Sequence, residues 1–274
     1  MRALVTGGTG FVGPHLVRAL TEAGWRVEIF RGDVRRPHAL ARFRGDAVFH
    51  LAGQAHPGRS QELAAETFEV NALGTARVLD ALGGFGGRVL VVSSGDVYAR
   101  ARRPLRESSP VRPRSPYGWS KLMAEAAARA SRLDVVVARA FNHTGPGQSD
   151  AYACPAFARQ VATRDVVRVG ELRSVRDFTD VRDVVRAYVL LVQRGRRGET
   201  YNVCSGRGRA MREVLDALVR LSGRRVRVVV DPSRLRPPDR AVGDPSKLRR
   251  ETGWRPRIPF ERTLQDLLAD GRRA

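Results

Sequence analysis

The amino-terminal stretch constrains the fold most strongly. Residues 2–6 form a short apolar segment that runs directly into a glycine-rich turn and then into an amphipathic helical pattern. Gly7, Gly10 and Gly13 form the pattern G-x-x-G-x-x-G in this turn. Glycine permits a tight turn with close backbone approach, and the amides at the start of the following helix attract phosphate. The stretch predicts a strand, turn and helix that bind the pyrophosphate of a dinucleotide, with a plain tight turn as the alternative.

Apolar strands alternate with helical patterns along the first half of the chain. Further strands are predicted at residues 26–30, 47–53, 88–94 and 133–141. Helical patterns lie between them, notably over 60–82. This alternation indicates an α/β fold with a doubly wound parallel sheet, whose ligands bind at the carboxyl ends of the strands.

Length and charge narrow the class of protein. A chain of 274 residues suits one sizeable α/β domain with a smaller lobe. The net charge is +21, yet arginine is spread along the whole chain without a basic tail or an aromatic RNA-binding motif. We interpret this arginine content as a compositional bias and expect no nucleic acid partner. The charge would still attract an anionic substrate.

The cysteines and the hydropathy of the sequence indicate where in the cell the protein is expected. Cys154 and Cys204 are far apart and lack metal-ligand spacing, so we expect reduced thiols and no metal site. The sequence has no apolar run near 18 residues, and its first 20 residues hold the glycine turn rather than a signal peptide. These features predict a cytoplasmic enzyme that does not bind membranes.

The stretch SPYGWSK contains a tyrosine and a lysine four residues apart, Tyr117 and Lys121. Only two of the 49 basic residues are lysine, which weakens the interpretation of Lys121 as an ordinary solvated charge. Ser115 and Pro116 are suited to begin a helix, on which Tyr117 and Lys121 share one face. The ammonium is expected to lower the pKa of the phenol, so that the tyrosine can transfer a proton at an oxygen that undergoes hydride transfer. Ser94, at the end of a predicted strand, is the expected neighbouring hydroxyl.

Motifs along nearly the whole chain resemble the extended short-chain dehydrogenase/reductase family of nucleotide-sugar epimerases, dehydratases and reductases. They are, in order, TGGTGFVG, VFHLAG, VNALGT, VSSGDVY, YGWSK, FNHTGPGQ, RDFTDVRD, YNVCSG and DPSKLRRETGWRP. The resemblance implies a Rossmann-like sheet with a smaller carboxyl-terminal substrate lobe. It implies a dinucleotide-binding domain of residues 1–153 and 175–206, and a substrate lobe of residues 154–174 and 207–274. It also implies a homodimer.

The resemblance assigns roles to individual residues. The catalytic residues would be Ser94, Tyr117 and Lys121, with Lys121 also holding the nicotinamide ribose. The other cofactor-binding residues would be Gly7, Gly10, Phe11, Val12, Gly13, Leu51, Ala52, Gly53 and His143. His143 is equally well interpreted as a partly buried structural histidine. The substrate-binding residues would be Gln54, Asn142, Arg176 and Arg236, the two arginines clamping phosphates.

Within the family, the sequence is most similar to the GDP-sugar branch, which contains GDP-mannose 4,6-dehydratase and GDP-4-keto-6-deoxymannose reductase. Dehydratases place a pair of proton-transferring groups where this chain has Gly95 and Asp96. The single carboxylate of Asp96 is poorly suited to the elimination of water. We therefore expect reduction of a nucleotide-linked 4-keto-6-deoxy sugar, with Asp96 as a further catalytic candidate. The alternatives are a 4,6-dehydratase or 4-epimerase, and a non-catalytic dinucleotide-binding regulator or scaffold.

The segment 31–46 is too short for the family pattern, and two interpretations are open. If residues 26–30 are the second strand, Arg31 stands where an acidic residue would select NAD, and Arg31, Arg35 and Arg36 favour NADP(H). If they are the third strand, Asp33 and Val34 are the pair that contacts adenine, and the ribose-recognition element is missing. We expect NADP(H) rather than NAD(H).

Overall fold

A computed structural model describes residues 1–272, apart from the side chain of Pro57. The last two residues of the predicted substrate lobe therefore lie outside the described residues. The strands are β1 (Arg2–Thr6), β2 (Arg26–Phe30), β3 (Ala47–His50), β4 (Arg88–Ser94), β5 (Asp134–Ala140), β6 (His143–Thr144), β7 (Val166–Val169), β8 (Val175–Asp177), β9 (Thr179–Asp180), β10 (Thr200–Val203), β11 (Gly208–Ala210), β12 (Arg227–Val230) and β13 (Arg240–Ala241). The α-helices are α1 (Val12–Glu22), α2 (Pro57–Glu62), α3 (Ala64–Phe68), α4 (Gly74–Ala81), α5 (Pro116–Ala130), α6 (Ala153–Thr163), α7 (Val181–Arg194), α8 (Met211–Ser222), α9 (Ser246–Thr252) and α10 (Phe260–Gly271).

The central sheet has six strands in the order β10-β5-β4-β3-β1-β2, and all of its pairings are parallel. The chain first adds β2 on one side of β1 and then crosses to place β3 on the other side. The strand order therefore reverses at β1, which opens a crevice at the carboxyl ends of β1 and β3. The predicted α/β fold with a doubly wound parallel sheet is confirmed.

Helices cover both faces of this sheet. On one face, Leu16 of α1 and Leu191 of α7 pack against Phe49 of β3. On the other face, Val78 of α4 and Ala128 of α5 pack against strands of the same sheet. The strands read as nearly continuous apolar runs because both of their faces are buried.

A separate hydrophobic core lies among α6, α8 and α10 and contains the buried residues Phe157, Leu215 and Leu264. The predicted division of the chain into two domains stays a prediction. Leu248 and Trp254, which follow residue 207, pack in the core of the large sheet instead of this second core. We therefore propose to assign residues 246–254 to the dinucleotide-binding domain. Among residues 1–272, no helix is both long and apolar enough to cross a membrane.

The segment 31–46 leads from β2 to β3 through a turn and a short 3-10 helix, His38–Arg42, and none of its residues forms a strand. Because β2 pairs with β1, it is the second strand, and the interpretation of residues 26–30 as a third strand is wrong. Asp33 and Val34 nevertheless follow directly. Val34 is buried against Gly74 at the start of α4. The shortened segment therefore brings Asp33 and Val34 to the carboxyl edge of the sheet without a third strand.

The helical region predicted over 60–82 is interrupted by a π-helical turn, Glu69–Leu73, between α3 and α4. Single π-turns inside helices are uncommon and often occur at functional sites. This turn carries Asn71, which is buried and reaches the loop after β3.

Trp254 provides a test of this packing. Its indole is almost fully buried, and its Nε1 donates a hydrogen bond to the Asp183 carbonyl at 3.0 Å. We predict that Trp254→Ala lowers the free energy of unfolding by about 3–5 kcal/mol because it leaves a large cavity. Trp254→Phe should lose clearly less, since it keeps most of the ring volume. Urea unfolding measures both values, and an equal loss in the two variants would contradict the cavity explanation.

Candidate active site

The glycine turn after β1 is packed too closely for side chains. Gly7 has a φ of +69°, and a Cβ there would lie 2.6 Å from the Ala52 amide nitrogen. A Cβ on Gly13 would lie 2.4 Å from the Gly8 carbonyl. Phe11 directly precedes α1 and provides no side-chain cap, so the first amides of that helix remain available to an anion. These residues fit a dinucleotide pyrophosphate.

The loop after β3 lies beside this turn. The Leu51 amide donates to the Thr6 carbonyl at 3.2 Å, and the Ala52 amide donates to Thr6 Oγ1 at 3.2 Å. Gly53 lies against Lys121, because a Cβ on this glycine would be 3.2 Å from the ammonium nitrogen. The three predicted cofactor-binding residues of this loop therefore run from the glycine turn to Lys121.

Helix α5 carries Tyr117 and Lys121 into the same region. Ser115 caps the helix by accepting a hydrogen bond from the Gly118 amide at 3.1 Å, as predicted. Lys121 is buried, and its ammonium donates to the Val92 carbonyl at 3.0 Å, in the strand that ends at Ser94. Ser94 Oγ accepts from the Asp96 amide at 3.1 Å. The structure thus brings the three predicted catalytic side chains to one end of β4.

The expected lowering of the pKa of Tyr117 is wrong for this structure. Desolvation by the enclosing protein raises the pKa of the phenol, and the Asp96 carboxylate raises it further. A hydrogen bond with Ser94 acts in the opposite direction but does not prevail. Burial also lowers the pKa of Lys121 to about 8. Tyr117 therefore stays protonated at neutral pH, which suits a proton donor better than a base.

Asn71, which the sequence analysis did not single out, orders the site. Its side-chain oxygen accepts from the Gln54 amide at 2.8 Å, and its side-chain nitrogen donates to the Gln54 carbonyl at 2.9 Å and to Ser120 Oγ at 2.9 Å. Gln54 itself donates from its side chain to the His56 carbonyl at 3.0 Å. The sequence signal that could have identified Asn71 is its position in the VNALGT motif, within a predicted helix.

The two arginines predicted to bind phosphates have different partners in this structure. Arg176 in β8 forms an ion pair with Asp239, which also accepts from Arg114 at 2.9 Å. Arg236 lies on an exposed turn and donates to the Leu235 carbonyl at 2.8 Å. Asp239 and Arg114 were missed because their pairing joins segments 125 residues apart.

Asp96 lies between Tyr117 and this arginine cluster. Its side chain keeps accessible surface, but desolvation by the surrounding protein raises the pKa of its carboxyl group. The positive charges of Arg176 and Arg114 oppose that rise, and the charge of Asp239 adds to it. The carboxyl group therefore connects the proton-transfer region electrostatically with the arginine cluster.

His143 and Asn142 follow β5 at the same edge. The His143 ring stacks on Phe11 with a centroid separation of 6.0 Å, and its Nδ1 is hydrogen bonded to the Phe141 carbonyl at 3.0 Å. Burial lowers the pKa of His143, so the ring is neutral. Asn142 is exposed, and its carbonyl accepts from the Thr179 amide at 3.0 Å. His143 thus contacts the glycine turn, while the Asn142 side chain faces solvent.

The far end of the crevice is rich in arginine. Arg31 is exposed directly after β2. The Arg35 side chain hydrogen bonds Asp33 and lowers the pKa of that carboxyl group to about 2. Arg35 also lines a cavity of about 560 Å³, together with Arg36, Pro37, His38, Arg77, Asp80 and Ala81. Arg77, another residue that the sequence analysis missed, donates to the Arg35 carbonyl at 3.0 Å.

A parallel sheet with a glycine turn at its switch point, together with Ser94, Tyr117 and Lys121 at one strand end, defines a dinucleotide-binding protein of the short-chain dehydrogenase/reductase type. The family model described as the NAD-dependent epimerase/dehydratase family matches residues 3–204. The chain belongs to this family.

Individual relatives match nearly the whole chain. A GDP-6-deoxy-D-mannose reductase of Pseudomonas aeruginosa is 38% identical, over 98% of this chain and 96% of its own length. A dTDP-glucose 4,6-dehydratase of an Actinoplanes species is 31% identical, over 98% and 97%. Among solved structures, RMD from Pseudomonas aeruginosa complexed with NADPH has a TM-score of 0.94 and 37% identity, and covers 99% of each chain. A Thermus thermophilus UDP-glucose 4-epimerase in complex with NAD has a TM-score of 0.90 and 31% identity, and also covers 99% of each.

The buried ammonium of Lys121 predicts a cost to stability. Since its pKa falls from 10.5 to about 8 on folding, the unfolded chain binds more protons between these values. This group therefore destabilises the fold fully below about pH 8, and the cost fades as pH rises towards 10.5. We predict that Lys121→Met raises the free energy of unfolding at pH 7, by at most roughly 3 kcal/mol, and that this gain shrinks by pH 10.

Denaturant unfolding at pH 7 and pH 10 measures this effect. The matched control is Lys247→Met, because Lys247 pairs with Glu199 at 2.6 Å and remains partly exposed. That variant should be no more stable than the wild-type protein at either pH. A Lys121→Met protein that is less stable at pH 7 would contradict the desolvation cost.

Proposed function

We propose that this protein is a nicotinamide-dependent reductase of a nucleotide-linked 4-keto-6-deoxy sugar, with GDP-4-keto-6-deoxymannose as the substrate. The observation that carries the proposal is the Tyr117 phenol, which is hydrogen bonded with Ser94 and close to the Asp96 carboxyl group, with the buried Lys121 one turn further along α5. The relative named GDP-6-deoxy-D-mannose reductase supports the substrate class.

The mechanism assigns a task to each side chain. When bound, the reduced nicotinamide supplies a hydride to the C4 carbonyl carbon of the sugar. Tyr117 donates its phenolic proton to the carbonyl oxygen as that oxygen gains negative charge, and Ser94 donates a hydrogen bond to the same oxygen. The Lys121 ammonium stabilises the phenolate that remains until solvent returns a proton to it. The product is the 4-hydroxy sugar.

The dehydratase alternative needs groups that this site supplies less well. Loss of water from a hexose requires one group to protonate the departing hydroxyl and another to remove a proton from carbon. Asp96 provides one carboxyl group, whereas Asp239 is engaged by Arg176 and Arg114. These contacts favour reduction over dehydration. A scaffold is disfavoured because binding of a dinucleotide alone would not require the Tyr117 phenol and the Ser94 hydroxyl to lie together.

NADP(H) is the proposed cofactor in preference to NAD(H). An arginine after the second strand accommodates a 2′-phosphate, whereas an acidic residue bonds the ribose hydroxyls of NAD. Arg31 occupies that place, and Asp33 is already paired with Arg35 at 2.7 Å. The neighbouring structure that contains NADPH supports this preference.

The proposal also includes a cytoplasmic homodimer that binds neither nucleic acid nor membranes. Support for the dimer is the family resemblance together with Trp119 and Met123, which are 47% and 48% exposed at a spacing of four on α5. Such exposed apolar surface is frequently covered by a partner. These points stay predictions.

The direct test is product analysis with the purified protein, NADPH and GDP-4-keto-6-deoxymannose. We predict oxidation of one NADPH per sugar and no conversion of GDP-mannose. Tyr117→Phe should bind NADPH normally but turn over about 100-fold more slowly, since it lacks the proton donor. A 4-keto-6-deoxy product formed from GDP-mannose without net coenzyme consumption would establish the dehydratase instead.

Cofactor choice has a separate test. We predict that Arg31→Ala weakens NADPH binding about 10- to 100-fold because it removes charge-assisted contacts to phosphate, while NADH binding changes by less than about twofold. Arg26→Ala is the matched control, since it removes the same charge from the opposite end of β2. Fluorescence titration of both reduced coenzymes gives the dissociation constants. Equal weakening of NADPH and NADH would contradict recognition of the 2′-phosphate by Arg31.

A further inference from the structure

A buried ion cluster joins α5 to the central sheet. Glu125 is fully buried, and its Oε1 accepts hydrogen bonds from Ser93 Oγ at 2.6 Å and from Arg139 Nε at 2.8 Å. Its Oε2 accepts from Arg139 Nη2 at 2.7 Å and from the outer residue Arg129 at 2.9 Å. The carboxylate therefore connects the helix to β4 through Ser93 and to β5 through Arg139.

The cluster has a defined relation to the proposed catalytic groups. Tyr117, Lys121 and Glu125 follow one another at a spacing of four, which places them on one face of α5. Ser93 directly precedes Ser94, and Arg139 is the register partner of Ser93 in the neighbouring strand. The helix is thus tied, two turns beyond Tyr117, to the strand residue that adjoins Ser94.

Stability alone does not account for this arrangement. The desolvation of a buried ion pair offsets most of its attraction, and apolar side chains of similar volume often stabilise a core equally well. Hydrogen bonds differ from apolar contacts in being directional, so they hold two elements at one position along each other. The hydrogen bonds of the cluster therefore favour one position of α5 along β4.

We propose that Ser93 and Glu125 are positioning residues that set the register of α5 against β4 and thereby hold the Tyr117 phenol at Ser94. The inference rests on the proposed function only in taking Tyr117 as the proton donor. Glu125 lies about 12 Å along the helix from Tyr117, so the helix carries a shift at the cluster to the phenol. A misplacement of about 1 Å at a reacting group can slow a reaction on the order of 100-fold.

Ser93→Ala tests the proposal, because it removes one hydrogen bond and leaves the Glu125 and Arg139 ion pair in place. We expect kcat to fall about tenfold, while the KM for the sugar nucleotide and the Kd for NADPH stay within about twofold of the wild-type values. Amide hydrogen exchange should become faster in the first turns of α5. Ser93→Thr, which keeps the hydroxyl, should restore most of kcat.

The matched control is Arg129→Ala. This change also removes a hydrogen bond to the Glu125 carboxylate, but from a side chain that is 50% exposed. Its kcat and its exchange in α5 should equal those of the wild-type protein. An unchanged kcat in Ser93→Ala, or an equal loss in the two alanine variants, overturns the positioning role.

The exchange measurement separates this inference from the proposed function. If the wild-type protein reduces no 4-keto sugar, the proposed function fails while the register can still be examined. Faster exchange at the start of α5 in Ser93→Ala, and not in Arg129→Ala, then supports the positioning role. Equal exchange in the two variants then overturns it.

Discussion

The site depends on the close contact between the turn after β1 and the loop after β3. Thr6 bonds both Leu51 and Ala52, and Gly7 leaves no room for a side chain against this loop. The contact fixes the place of Gly53 beside Lys121 and exposes the amides at the start of α1. The phosphate-binding end and the proton-transfer end of the crevice are therefore parts of one packed unit, and a side chain at Gly7 would disturb both.

Features that depend on local sequence were predictable. The glycine spacing, the strand periodicity and the spacing of Tyr117 and Lys121 each report on neighbouring residues, and the structure has these elements where they were expected. Their partners across the fold were not predictable, since Asn71, Asp239 and Glu125 act through contacts with distant segments. The pKa of Tyr117 was misjudged for the same reason. Spacing places a cation on the same face of the helix, but it does not show how much water the rest of the fold removes from the phenol.

Several arginines of this positively charged protein are locally neutralised by carboxylates. Asp239 engages Arg176 and Arg114, and Asp33 engages Arg35. A diphosphate bound at Arg176 would compete with Asp239 for the same guanidinium group. The high net charge attracts anions to the protein, whereas an anion that binds one of these arginines has to compete with the carboxylate already paired with it. Attraction and selection are thus separate properties of the surface.

The shortened segment 31–46 also has a consequence for solubility. Without a third strand, β2 becomes the edge of the sheet, and its outer backbone groups could pair with a strand of another molecule. Arg26 and Glu28 are exposed along this strand, and Arg2 forms an ion pair with Glu28. Charged side chains on an edge discourage such intermolecular pairing. A sheet that ends at β2 can therefore still resist aggregation, because its edge carries charged side chains.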